Sequence, residues 1–219
     1  MLGMTVKAAA QSCGGRLIDD TKADMPLEGV VIDSRLVSPG DLFVAYKGEH
    51  ADGHDYIAAA LDKGAACALA EYLPEGVSGS VILVSDVQQA LEKITAACRE
   101  KLSLPVVGVT GSVGKTSAKE MIWSVLSRRM RVHKTDKNLN NQIGVPMTVS
   151  RIDPWHDCAV IEMGISKFGD MAALHPMVKP DIMVYTVIGH AHLEFLGDLD
   201  GDKRQVPSPT YQRVETSLD

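Results

Sequence analysis

The chain has 219 residues, 45% of them apolar, which is enough for one large domain or two small ones around a real core and sets aside disorder throughout. Its 22 basic and 28 acidic residues leave a formal net charge of −6, so neither a nucleic acid nor an anionic membrane is expected to be gripped by bulk electrostatics; a local cationic pocket for phosphates is still compatible with that balance. Cys13, Cys67, Cys98 and Cys158 stand far apart, with no CxxC pair and no histidine at zinc-ligand spacing, and read as reduced core thiols of a cytoplasmic protein. The start, Met1-Leu2-Gly3-Met4-Thr5-Val6-Lys7, lacks the pattern of a secretory signal, and no uncharged apolar run reaches the roughly 18 residues of a membrane span.

In chain order, Thr5 is placed to cap a helix over residues 6–13, and apolar runs at 29–32 and 42–46 read as strands. Between them lie Asp33-Ser34-Arg35 and a Ser38-Pro39-Gly40-Asp41 turn. Residues 54–63 have helical spacing, with Tyr56, Ile57, Ala60 and Leu61 on one face and Gly64 ending it; strands are expected at 67–70 and 81–84. Asp86 caps a helix in which Val87, Ala90, Leu91, Ile94, Ala97 and Cys98 recur near a 3.6 period. Leu104-Pro105 then marks a domain boundary.

From Val106 the texture becomes strand, loop, helix, strand, helix, strand, with buried parallel strands expected at 106–109, 159–161 and 182–187 and helices at 115–129, 145–150 and 171–178. The expected fold class is therefore α/β: a small mixed α/β N-terminal domain (1–103), a partial P-loop domain with a parallel sheet (104–201) and an unstructured tail (202–219).

The chemistry is carried by Gly108-Val109-Thr110-Gly111-Ser112-Val113-Gly114-Lys115-Thr116, set between a buried strand and a helix. In that context small residues let backbone N–H groups converge on phosphate oxygens, Lys115 reaches the β- and γ-phosphates, and the Thr116 hydroxyl holds Mg²⁺. Val109 departs from the glycine of a strict Walker A string, while Gly111 and Gly114 still supply the turn. A second metal ligand is expected from a neighbouring strand, and Cys158-Ala159-Val160-Ile161-Glu162-Met163-Gly164 ends in a suitable carboxylate at Glu162. His190 and His192 follow the third strand and read either as surface residues or as metal ligands. The loop holding Thr135, Asn138, Asn140 and Asn141 reads equally as a polar-ligand contact and as a helix-capping turn.

Taken together, these strings resemble the Mur ligase family: Asp33-Ser34-Arg35 with Pro39-Gly40-Asp41-Leu42-Phe43-Val44-Ala45 and Asp52-Gly53-His54-Asp55; the loop from Thr110 to Ser117; Asn138-Leu139-Asn140-Asn141 with Ile143-Gly144-Val145-Pro146; and Glu162-Met163-Gly164 with His192-Leu193-Glu194. The similarity covers about residues 1–201, and the asparagine string resembles the branch that handles D-alanyl-D-alanine. The resemblance implies a cytoplasmic, monomeric, ATP- and Mg²⁺-dependent ligase of peptidoglycan precursor synthesis, joining D-alanyl-D-alanine to UDP-N-acetylmuramoyl-tripeptide through an acyl phosphate. It implies a nucleotide cradle of Thr110, Gly111, Ser112, Val113, Gly114, Lys115, Thr116 and Ser117, and a catalytic and metal set of Lys115, Thr116, Glu162 and His192. Ser34, Arg35, Lys47 and Gly48 would meet the UDP end, with Asn138, Asn140 and Asn141 as further substrate contacts.

The chain departs from the family in three places. Thr186-Val187-Ile188-Gly189 replaces the usual Thr-Asn-Ile-Gly; Val206 falls near the position of a lysine that the family carbamylates; and the family continues through a larger central sheet and a C-terminal domain. The expectation is then of a chain inactive alone, with a non-catalytic UDP-sugar or nucleotide-binding module and a sister ligase of the same family as the competing readings.

Overall fold

The structure, a computed structural model, describes residues 1–187 apart from Leu2, residues 49–50 and Phe168. Its first unit is built on a five-stranded sheet in the order β1-β5-β4-β3-β2. The strands are β1 (Arg16–Leu17), β2 (Val30–Val31), β3 (Leu42–Val44), β4 (Cys67–Ala70) and β5 (Val81–Leu83). All neighbours are parallel except β1, which runs antiparallel to β5. Both faces are covered, which is why these strands read as continuous apolar runs. On one face Val30, Leu42, Leu69 and Ile82 pack on α1 (Val6–Cys13) and α3 (Val87–Glu100); on the other Val31, Phe43, Ala68 and Val81 pack on α2 (Ile57–Asp62).

Helix boundaries follow local chemistry. Thr5 Oγ1 accepts a hydrogen bond from the Ala8 N–H at 3.2 Å to open α1, and Asp86 accepts one from the Gln89 N–H at 2.9 Å to open α3. The expected helix over 54–63 is split: Asp52 caps a short 3₁₀ turn over Gly53–Tyr56, and α2 follows it. That changes the phase, so Ile57 and Ala60 are buried while Tyr56 is exposed, correcting the single apolar face read from the sequence.

The second unit is a fully parallel sheet in the order β7-β8-β6-β9, formed by β6 (Val106–Thr110), β7 (Val132–Lys134), β8 (Cys158–Glu162) and β9 (Ile182–Tyr185). Alternate residues of β6 and β8 serve opposite layers. Val106, Ala159 and Ile161 face α5 (Gly144–Ser150) and α6 (Asp170–Val178), whereas Val107, Val109 and Val160 face α4 (Lys115–Leu126). β9 stops at Tyr185, short of the expected end at 187, and Val187 instead forms an isolated bridge with Val113. α4 likewise ends at Leu126, where the chain tightens into turns. The expected tail over 202–219 lies outside the described residues.

The two units meet through α3, which packs on both α5 and α6. Arg99, near its end, is buried; it donates from Nε to the Val178 carbonyl at 2.7 Å, from Nη1 to Leu102 at 2.9 Å and from Nη2 to Lys179 at 2.9 Å. These carbonyls lie at the C-terminal end of α6 and in the connecting segment, so one guanidinium satisfies backbone acceptors on both sides of the junction. None of the four cysteines is joined in a disulfide; Cys67, Cys98 and Cys158 are buried, and burial pushes the Cys67 thiol up to about 12.

Candidate functional site

The site forms at the carboxyl ends of β6 and β8, where an open parallel sheet leaves a crevice for ligands. After Thr110 the backbone turns through Gly111 at φ 131° and Gly114 at φ 86° before α4 begins at Lys115. Only glycine adopts both angles without strain, and a β-carbon at Gly111 would also run into the Thr186 hydroxyl. Gly114 is the N-cap of α4 and, among the described residues, no side-chain cap closes that end. A 12-residue helix thus presents its positive end and first-turn N–H groups to the loop's concave side, the arrangement that suits a phosphate.

The end of β9 braces this loop. The Thr186 N–H donates to the Thr110 carbonyl at 2.9 Å, its hydroxyl donates to Val113 at 2.6 Å, and the Ser112 N–H donates to the Val187 carbonyl at 2.7 Å. Val187, which stands where the family places asparagine, takes part through its backbone and leaves its side chain exposed. Lys115 folds over the loop and donates from Nζ to the Gly111 carbonyl at 2.6 Å. Its ammonium is therefore held beside the loop rather than extended into solvent.

Glu162 ends β8 with its carboxylate only 2% exposed. Thr116 Oγ1 lies 3.0 Å from Oε2, and Asn140 Nδ2 donates to Oε1 at 2.8 Å. A hydroxyl and a carboxylate oxygen are hard ligands, and adjacent oxygens around an ion that holds them at about 2.1 Å lie about 3 Å apart, so the pair fits Mg²⁺. Among the described residues no group of three or more His, Cys, Asp or Glu side chains is placed to hold a metal. His192, the further expected ligand, and His190 lie outside the described residues.

The asparagines divide their roles. Asn141 Oδ1 accepts from the N–H groups of Ile143 and Gly144 at 3.1 and 2.8 Å, the capping alternative, whereas Asn140 turns to Glu162. Asn138 is exposed, and its carbonyl accepts from the Asn140 N–H at 2.8 Å. Beside Asn140 opens a cleft of about 280 Å³ between the units, lined by Gln88, Asn141, Gln142, Gly164 and Lys167 among others.

Thr135, expected with the asparagines as a polar-ligand contact or part of a capping turn, is buried and turned inward instead, and the equally buried Lys119 carried no expectation from the sequence. Thr135 receives the Glu162 N–H on Oγ1 at 2.9 Å, fixing the backbone that carries the carboxylate. Lys119, 1% exposed, donates to the Thr135 carbonyl at 2.9 Å and sits 3.6 Å from Glu162 Oε2. The readable signal was its phase: three and seven residues before Ile122 and Leu126, both packed on the sheet, it occupies a position where an apolar side chain is expected.

In the first unit Ser34 and Arg35 form a 3₁₀ turn capped by Asp33. The Arg35 side chain is 84% exposed, and its hydrogen bonds hold the Asp33 carboxyl down at about 2. Lys63 donates to the Ser34 and Arg35 carbonyls at 3.1 and 3.3 Å, adding a second cation. The backbones of Lys47 and Asp52 pair in an isolated antiparallel β-bridge, and the Gly48 N–H donates to the Ala51 carbonyl at 2.9 Å. Asp52 binds both the His54 N–H and Nδ1, at 3.0 and 2.6 Å, while Tyr72 stacks on the His54 ring and donates to Asp52 at 2.9 Å.

A doubly covered α/β unit joined to a parallel sheet with a P-loop and a strand-end carboxylate defines a class of P-loop protein, and the sequence comparisons narrow it. Residues 26–107 match the family described as Mur ligase family, catalytic domain, and residues 109–201 match the Mur ligase middle domain. The chain belongs to the Mur ligase family. It is 41% identical over 182 residues to the UDP-N-acetylmuramoyl-tripeptide--D-alanyl-D-alanine ligase of Synechocystis sp., covering 82% of this chain and 40% of that protein. MurF from Acinetobacter baumannii superposes with a TM-score of 0.82 at 34% identity, over 92% of this chain and 44% of that one. MurF from Thermotoga maritima, solved in complex with ADP, gives 0.75 at 36% identity, over 83% and 42%. The chain thus spans about 40% of the length of the curated relative described above.

Proposed function

We propose that this chain forms the nucleotide- and UDP-sugar-binding portion of an ATP-dependent ligase that joins D-alanyl-D-alanine to UDP-N-acetylmuramoyl-tripeptide. The observation that carries the reading is the 3.0 Å approach of Thr116 Oγ1, one residue after the loop lysine, to the carboxylate of Glu162 on the adjacent strand. In this reading the loop and the uncapped start of α4 bind the β- and γ-phosphates, and Lys115 leaves the Gly111 carbonyl to balance charge on the transferring phosphoryl group. Mg²⁺, held by Thr116 and Glu162, would supply charge neutralisation for the same group.

The tripeptide carboxylate attacks the γ-phosphorus, the bond to ADP breaks, and an acyl phosphate forms. The D-alanyl-D-alanine amine then attacks the acyl carbon, the bond from that carbon to the bridging phosphate oxygen breaks, phosphate leaves with that oxygen and the electron pair, and the amine loses a proton. The cleft beside Asn140 is the place assigned to the peptide, because its amide side chains and Lys167 offer both donors and acceptors close to Glu162. Ser34, Arg35, Lys47 and Gly48 are assigned to the UDP end, where an exposed guanidinium suits a diphosphate. We place the domain boundary at Leu104-Pro105 and the protein in the cytoplasm; among the described residues no helix is long and apolar enough to cross a membrane.

Calorimetric titration of the chain with ADP and Mg²⁺, and separately with the UDP-sugar tripeptide, tests the assignment. Lys115→Ala is expected to weaken ADP binding at least about tenfold and to leave the tripeptide affinity unchanged, with Arg35→Ala doing the reverse. Equal ADP affinity in wild type and Lys115→Ala would remove the nucleotide site from this loop.

A further inference from the structure

Buried beneath the site is a charge with no part in the mechanism above. Lys119 is 1% exposed, and its ammonium lies 3.6 Å from Glu162 Oε2. It is not free to swing away: Nζ donates to the carbonyls of Thr135 at 2.9 Å and Lys137 at 3.5 Å, and Glu120 Oε1 stands 3.4 Å off. Glu120 is itself shared with Lys134, which bonds its other oxygen. Lys119 and Glu162 therefore form a nearly neutral buried pair, the state in which a carboxylate can be kept out of water.

We propose that Lys119 is a positioning residue that couples cation binding to nucleotide binding: it holds the Glu162 carboxylate in place and cancels its charge, so that a divalent ion is retained between Thr116 and Glu162 only when phosphates arrive with it. The inference rests on the nucleotide reading of the loop. A divalent ion reaching Thr116 and Glu162 alone meets one carboxylate already neutralised by a fixed ammonium, with Lys115 nearby as a further cation. Among the described residues, two protein ligands and no net negative charge make a poor resident site for an ion that gives up its water reluctantly. A nucleoside diphosphate or triphosphate changes both terms at once, adding oxygens and several negative charges. Lys119 thereby keeps the carboxylate aligned in the empty site without letting that site fill with metal.

The test is Mn²⁺ binding to the whole chain, followed by the electron paramagnetic resonance of the free ion, with and without saturating ADP, alongside a separate ADP titration. Wild type is expected to bind Mn²⁺ at least about tenfold more tightly with ADP than without. Lys119→Met is expected to bind Mn²⁺ alone about tenfold more tightly than wild type, which is what one unit charge on a divalent ion amounts to at several ångströms even in the dielectric of water. Lys119→Arg, which keeps the charge, should stay close to wild type. Unchanged or weaker Mn²⁺ binding by a folded Lys119→Met overturns the proposal, as does Lys119→Arg behaving like Lys119→Met. If Lys119→Met does not fold, wild type decides alone: Mn²⁺ affinity the same with and without ADP sinks it. Normal ADP binding alongside any of these results leaves the nucleotide site standing, whereas absence of ADP binding removes both readings.

Discussion

Replacing Thr135 by valine tests whether the backbone under Glu162 is held as described. Valine matches threonine in shape but offers no acceptor, so the Glu162 N–H, which donates to Thr135 Oγ1 at 2.9 Å in a buried setting, would be left without its partner. A buried donor left unsatisfied costs about 1–3 kcal/mol, a sizeable fraction of the 5–15 kcal/mol that typically separates a folded domain from its unfolded chain. With a urea dependence of about 2 kcal/mol per molar, the midpoint should fall by roughly 0.5–1.5 M. Tryptophan fluorescence suits the measurement, because Trp123 and Trp155 both lie in the second unit. Thr135→Ser is the control: it keeps the hydroxyl and gives up one methyl group, about 0.8 kcal/mol. A Thr135→Val midpoint indistinguishable from wild type, or a serine variant less stable than the valine one, would refute the reasoning.

At the unit junction, Arg99→Met should lower stability by roughly 2–4 kcal/mol in urea, because three backbone carbonyls lose charged donors, and hydrogen exchange should show faster opening around residues 101–106. Asp86→Ala removes the cap of α3 and should destabilise by about 1 kcal/mol in the same assay; a Gln89 substitution offers no equivalent loss. Hydrogen bonds from the His54 N–H and ring hold the Asp52 carboxyl below its ordinary 3.8, at about 2. A depressed carboxyl contributes stability that is complete above about pH 4 and fades as pH falls toward 2. The difference in melting temperature between wild type and Asp52→Asn should therefore shrink over that window; a difference that grows on acidification would reverse the sign.

Where the chain's own chemistry decides structure, it was readable. Thr5 and Asp86 cap the helices they were expected to cap, and the apolar β-branched runs at 106–109 and 159–161 lie in the buried strands β6 and β8. β7 was not readable, since Val132-His133-Lys134 holds one apolar residue and becomes a strand by pairing with β8. β1, two residues long, likewise exists through β5. At the site, glycine spacing located the loop and the end of an apolar run located Glu162, while Asn140 and Asn141 could be told apart only by their partners. Helical phase marks Lys119 as facing the sheet, but the partners of Lys119 and Thr135 come from segments distant in sequence, which no local pattern records.

The strand order of the second sheet also bears on how the chain assembles. β6 comes first in sequence yet lies in the middle, pairing Val107 with Val160 on one side and with Ile182 on the other. A ribosome releasing this polypeptide therefore delivers the central strand long before either neighbour exists. Its apolar side chains and unpaired backbone N–H and C=O groups must wait, exposed or shielded by helpers, until residues beyond 180 emerge, and this period is when the protein is most open to misassociation.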